Sequence, residues 1–236
     1  GRKGSTGCHA IGFDGQSVPE EQGGWRTVCP SANAYGSLAR PRALSVDEIH
    51  TIVDQFRDAA WRAMNIGFDA VEVHAAHGYL LSQFLDPLIN ERDDEYGGSF
   101  DNRVRMLVEV VDAIRSVVPD TMPVLVRVSA TDWAAGGWDL DQTVELAKIL
   151  KAHGVDLIDV STGGLIPDVT IPVKPDYQVP FAEQVRSRAG IPTTAVGLIT
   201  KPKQAKKILK SGAADAVEIG RAALRDPYWP LRAAHK

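Results

Sequence analysis

The chain has 236 residues, is 44% hydrophobic and carries a net charge of −4. It can bury a full core, and a single domain accommodates its length. With no basic cluster, no signal-peptide pattern visible and no apolar run near the roughly 20 residues of a membrane helix, nucleic-acid binding and membrane spanning are both expected to be absent.

The N-terminal stretch, residues 1–44, is rich in Gly, Ser, Pro and charge. It reads as an irregular loop segment leading into one domain that fills residues 1–236. A chain opening this way on Gly1 is expected to be a piece of something larger. Cys8 and Cys29 are its only cysteines and show no metal-type spacing. Two free thiols in a cytoplasmic protein are preferred to a disulfide, and no metal site is expected.

Ser45-Val46-Asp47-Glu48 is a capping box, followed by Ile49, Ile52, Val53, Phe56 and Ala60 at helical spacing and by Gly67 as a stop. A strand is predicted over Asp69 to His74. Ser99 then caps a helix carrying Val104, Leu107, Val108, Val111 and Ile114. Val124 to Ser129 is a second strand. Asp139 opens a helix that Gly154 ends, and Asp156 to Ser161 is a third strand. Phe181 to Arg188 fit a helix. Thr193 to Leu198, a helix from Pro202 to Leu209, and Ala216 to Gly220 complete the series.

Strict alternation of strands and helices predicts a parallel sheet built from βαβ units. No G-x-G-x-x-G follows a first strand, so a barrel is preferred to a Rossmann fold. Only about five strands are legible, whereas a closed barrel of this kind needs about eight. The fold expected is therefore α/β, a (β/α)8 TIM barrel lacking about its first three strands.

The most informative segment is His74-Ala75-Ala76-His77-Gly78-Tyr79. It lies at the C-terminal end of a buried strand, where parallel α/β folds place their chemistry. Paired imidazoles can donate to a substrate oxygen and a nearby phenol can move a proton. Side-chain alternation puts Glu72, His74, Arg127, Asp159, Ser161, Glu218 and Gly220 on the inward face. Arg127 must then be paired. Either it forms an ion pair with Glu72, Asp159 or Glu218, or it faces a bound group that becomes anionic. Gly197 and Gly220-Arg221 end the last two strands, the usual phosphate position in such barrels. Glycine permits backbone approach there, and Arg221 can add a bidentate contact.

Together these residues resemble the old yellow enzyme family of flavin-dependent ene-reductases, and its thermophilic-like class more closely. The resemblance runs through nearly the whole chain. It is carried by His74 to Leu80, Phe84 to Leu88, Asn90 to Ser99 with Asn102-Arg103, Val126 to Ala130, Asp156 to Ser161, Ala195 to Gly197 and Ile219 to Pro227. It implies FMN in a barrel, NADPH as hydride donor, and hydride transfer through the flavin to the alkene of α,β-unsaturated carbonyl or nitro compounds. By the same resemblance His74 and His77 hold the substrate oxygen and Tyr79 supplies the proton. Arg127 sits at the flavin's N1/O2 edge, and Ser161, Gly197, Gly220 and Arg221 match the phosphate-holding part of the site. A cytoplasmic homo-oligomer acting on a small-molecule alkene, with no nucleic-acid or membrane partner, is expected.

The family carries further strands before Gly1, and with them a glutamine and a cysteine that contact the flavin. Two alternatives therefore stay open. One is a non-catalytic partial barrel that binds flavin or phosphate weakly. The other is a relative of the dienoyl-CoA reductases. A phosphosugar isomerase or aldolase would want a lysine or glutamate at a strand end in place of paired histidines. Two open sheet edges, at the strands near Ala70 and Ala216, are expected to promote self-association of this chain and to weaken its hold on FMN.

Overall fold

The computed structural model describes residues 18, 21, 23–36 and 38–235. Cys8 and Gly1-Arg2-Lys3 lie outside them. Two short strands, β1 (Val28–Cys29) and β2 (Arg42–Ala43), pair in parallel within the N-terminal stretch. That stretch is thus partly ordered by backbone pairing. It is pinned to the domain by Arg92, whose guanidinium donates to Pro30 O at 3.0 Å and Leu44 O at 2.7 Å. Cys29 is a buried free thiol that donates to Ser31 O, and burial raises its pKa.

The main sheet holds β3 (Val71–Ala75), β4 (Val124–Ser129), β5 (Leu157–Ser161), β6 (Thr193–Ala195) and β7 (Ala216–Val217), all parallel and in chain order. Helices fill the crossovers. They are α1 (Val46–Asn65) before β3, α2 (Leu80–Leu85) and α3 (Phe100–Arg115) before β4, then α4 (Leu140–Ala152), α5 (Val179–Ala189) and α6 (Pro202–Ser211). Short α7 (Arg221–Arg225) and α8 (Trp229–Ala234) follow β7.

Local chemistry sets most of these boundaries. Ser45 accepts from the Glu48 amide while Glu48 reaches back to the Ser45 amide, so the capping box forms as predicted. Ser99 and Asp139 cap α3 and α4 by accepting from the Asn102 and Gln142 amides. α5 and α6 end where Gly190 and Gly212 adopt left-handed backbone. The core lies between the sheet and these helices. Val124, Val126 and Val128 are fully buried there, with Ile158 and Val160 beside them. Each such side chain contributes about 1.5–3 kcal/mol. The opposite face of β4, carrying Leu125, Arg127 and Ser129, is only half-buried. It is the inward face that alternation predicts.

Two strands are shorter than the sequence suggests. β6 stops at Ala195 because Gly197 and Leu198 take φ of 125° and 53°, outside strand geometry. β7 stops at Val217, although the Glu218 amide still donates to Ala195 O at 2.9 Å. Gly220 then caps α7. Among the described residues, no helix is long and apolar enough to cross a membrane.

Candidate active site

The inward face carries a continuous row at one level of the sheet. The register pairs His74 with Arg127, Arg127 with Asp159, Asp159 with Thr194 and Thr194 with Ala216. Asp159 is completely buried. Thr194 donates to its Oδ1 at 2.6 Å, and Arg127 Nε stands 3.0 Å from its Oδ2. The Arg127–Asp159 approach is an ion pair by distance but is not aligned as a hydrogen bond, so both atoms keep unused bonding capacity. Arg127 Nη1 also lies 3.4 Å from Glu218. Oxygens of Glu72, Asp159 and Glu218 fall within 4.8 Å of one another.

Three carboxyl groups around one guanidinium cannot all be neutralised. Burial, then the Asp159 charge, push Glu218 up to about 7 despite Arg127 beside it. Burial and Asp159 also raise Glu72. This is the ion-pair arrangement that the inward arginine requires. With Arg127 inside it, the cluster has a resident cation.

At the strand ends the three aromatic groups of the sequence motif come together. The His74 ring centroid lies 5.4 Å from that of His77 and 5.3 Å from that of Tyr79. All three side chains are half-buried. Burial, and secondly Arg127, lower the pKa of both histidines, His77 to about 4. Both rings are therefore neutral at pH 7, and each can offer one N–H to an oxygen. The turn that carries them is tightly specified. His77 adopts φ 59° and Gly78 φ 77°. Buried Gln83 donates to Gly78 O at 2.8 Å. A Cβ on Gly78 would overlap the Gly164 carbonyl oxygen.

At the β6–β7 end of the sheet, Gly197, Gly220 and Arg221 line one cavity of about 480 Å³, together with Glu218, Tyr177 and Gln178. Gly197 lies against Gln178, whose Oε1 accepts from Thr162 at 2.8 Å. A Cβ on Gly220 would meet nothing and would project into open space. Ser161, by contrast, is buried, and its hydroxyl donates to Val128 O at 3.0 Å. The structure does not bring it to the cavity wall.

Four site features escape a reading of motifs. Thr194 could have been found from the Thr193-Thr194 pair, since one of two neighbours must face inward. Ser129 is the last residue of β4, and the Gly163-Gly164 pair stands just past the end of β5. The buried carboxyl pair Asp86 and Asp132, both accepting from the Trp138 amide at 3.3 and 3.0 Å, has no local signature.

The sequence matches the NADH:flavin oxidoreductase / NADH oxidase family over residues 9–236. The chain belongs to this family. An NADPH dehydrogenase of Listeria welshimeri is 50% identical over 208 residues, 88% of this chain and 61% of its own length. Morphinone reductase is 33% identical with a TM-score of 0.75, covering 89% of this chain and 60% of its own. An old yellow enzyme homologue from Zymomonas mobilis is 27% identical with a TM-score of 0.76, covering 92% and 63%. The old yellow enzyme resemblance thus holds. The chain spans about 61% of the length of its curated relative. In this flavin oxidoreductase family the five parallel strands are part of a (β/α)8 TIM barrel.

Proposed function

We propose that this chain holds the flavin phosphate and the substrate in an FMN-dependent NADPH oxidoreductase that reduces the alkene of α,β-unsaturated carbonyl or nitro compounds. The observation that carries the reading is the convergence of His74, His77 and Tyr79 at one strand end, together with an inward Arg127 level with His74 and a cavity lined by Gly197, Gly220 and Arg221.

The residues fit the cofactor. Arg127 Nε is buried with no hydrogen-bond acceptor, and the Gly220 position is open to a close-approaching group. Arg221 and the backbone at Gly197 and Gly220 would hold the phosphate, with Ser161 supporting the strand end. Arg127 would face the ring edge that gains negative charge. Bound FMN would supply a two-electron carrier between NADPH and the alkene. The chain's own residues do the rest. Neutral His74 and His77 donate to the carbonyl or nitro oxygen, drawing electron density from the β-carbon as hydride arrives there. Tyr79 delivers the proton to the α-carbon, which completes a two-electron, two-hydrogen reduction.

The test is alkene reduction by the FMN-loaded protein with NADPH and cyclohexenone. Tyr79→Phe is expected to slow alkene reduction by about 10²-fold, within the usual range for a lost acid, while NADPH consumption in the flavin-reducing half-reaction is unchanged. Equal rates for wild type and variant would remove Tyr79 as the proton donor. The five-stranded sheet, whose edge strands among the described residues are β3 and β7, supports a second reading, in which the chain binds flavin weakly without turnover. A colourless preparation that takes up no FMN would favour it.

A further inference from the structure

We propose that Ser129 is a positioning residue for His77, and that through it the β5–α5 loop at Gly163-Gly164 sets the oxygen-binding geometry. This rests on the role given to His77 above.

Ser129 is the last residue of β4, one step beyond the final β3–β4 register pair, Ala75 with Val128. Its hydroxyl accepts the His77 backbone N–H at 3.0 Å and donates its single proton to Gly163 O at 2.8 Å. Both directions are therefore fixed, and the hydroxyl has no rotational freedom left. Gly163 is itself anchored by its N–H to Thr131 O at 2.8 Å. The next residue completes the clamp. Gly164 lies so close that a Cβ there would be 2.8 Å from His77 Cα, and its carbonyl excludes any side chain on Gly78.

His77 needs such a clamp. A non-glycine residue at φ 59° is held there by its surroundings. The imidazole direction follows the backbone, and a small displacement of a hydrogen-bond donor is costly at a reacting oxygen. Three consecutive strand-end loops thus meet at one hydroxyl. The Ser129 hydroxyl is engaged by two backbone partners, the His77 N–H and Gly163 O. Its effect is on where His77 points.

The experiment titrates a phenol, as a mimic of the developing oxyanion, into the FMN-loaded protein and follows the flavin absorbance. Ser129→Ala is expected to weaken phenol binding and raise the alkene KM by about five- to tenfold, the scale of one net hydrogen bond, with FMN affinity unchanged. Ser129→Thr retains the hydroxyl and should restore both. Ser129→Cys, with a weaker acceptor, should fall between and covers the case in which the alanine variant does not fold. His77→Ala runs alongside. Weak binding in His77→Ala but wild-type binding in Ser129→Ala and Ser129→Cys would overturn the positioning role alone. Wild-type binding in His77→Ala would overturn the reading of His77, and this inference with it.

Discussion

Arg127 Nε and Asp159 Oδ2 lie 3.0 Å apart on neighbouring strands at the same register level, and Asp159 is wholly buried. Breaking a buried pair by removing one partner usually costs about 3–5 kcal/mol. Here Glu218 stands 3.4 Å from the same guanidinium and is held near 7 in part by Asp159. Removing the Asp159 charge lets Glu218 ionise in its place. Asp159→Asn should therefore destabilise by about 1–3 kcal/mol, nearer the loss of one charged hydrogen bond. Urea unfolding measures it. A loss of about 3–5 kcal/mol, the full buried-pair range, would show that Glu218 does not compensate.

Asp86 should make stability fall as pH rises. Burial and the neighbouring Asp132 raise its pKa from 3.8 to about 7. The folded state thus holds a proton that the unfolded state releases. This contribution is fully present below about pH 4 and is lost as pH rises through 7. Asp86→Asn cannot ionise, so relative to wild type it should gain stability between pH 4 and pH 8. The gain should be on the order of one to a few kcal/mol, since a tenfold difference in proton affinity is worth about 1.4 kcal/mol. Denaturant midpoints for both proteins at the two pH values check this. An unchanged difference would mean that the carboxyl pair shares no proton.

Two glycines separate backbone strain from steric overlap. Gly98 has φ 79° with open space where a methyl group would sit, whereas Gly78 has φ 77° with Gly164 O in the way. Gly98→Ala should cost about 1–2 kcal/mol, from conformation alone. Gly78→Ala should add about 1–3 kcal/mol of overpacking and disturb phenol binding as well. Equal losses on thermal unfolding would contradict the close approach.

The cavity makes a complementary prediction. A Cβ at Gly220 touches no protein atom, so Gly220→Ala should leave stability unchanged while weakening FMN binding. Arg221→Ala should cost about 1.5–3 kcal/mol of FMN binding through loss of a charge-assisted contact. Flavin fluorescence titration reads both. Unchanged FMN affinity in both variants would move the phosphate elsewhere.

Much of this was legible in the sequence, for identifiable reasons. Period-two alternation placed Arg127, Asp159 and Glu218 on one face, and the ion pairs they form are those a buried charge demands. Capping residues fixed the starts of α1, α3 and α4. Apolar runs could not fix the ends of β6 and β7. There the left-handed Gly197 and Leu198 and the cap at Gly220 end the ladder while the sequence stays strand-like. Nor could local pattern show Ser129 meeting His77, 52 residues away, or Asp86 meeting the loop that holds Asp132. Such contacts come from strand order and become visible only in three dimensions.

In the proposed function, His74 and His77 together hold the oxygen of an activated alkene. The most direct test of this is anaerobic stopped-flow mixing of the NADPH-reduced, FMN-loaded protein with cyclohexenone, comparing wild type with His74→Ala/His77→Ala. Flavin reoxidation by the alkene should slow by about 10²-fold or more in the double variant, the scale of a lost oxyanion donor, while bound FMN and its reduction by NADPH persist. Reoxidation at the wild-type rate in the double variant would contradict the claim.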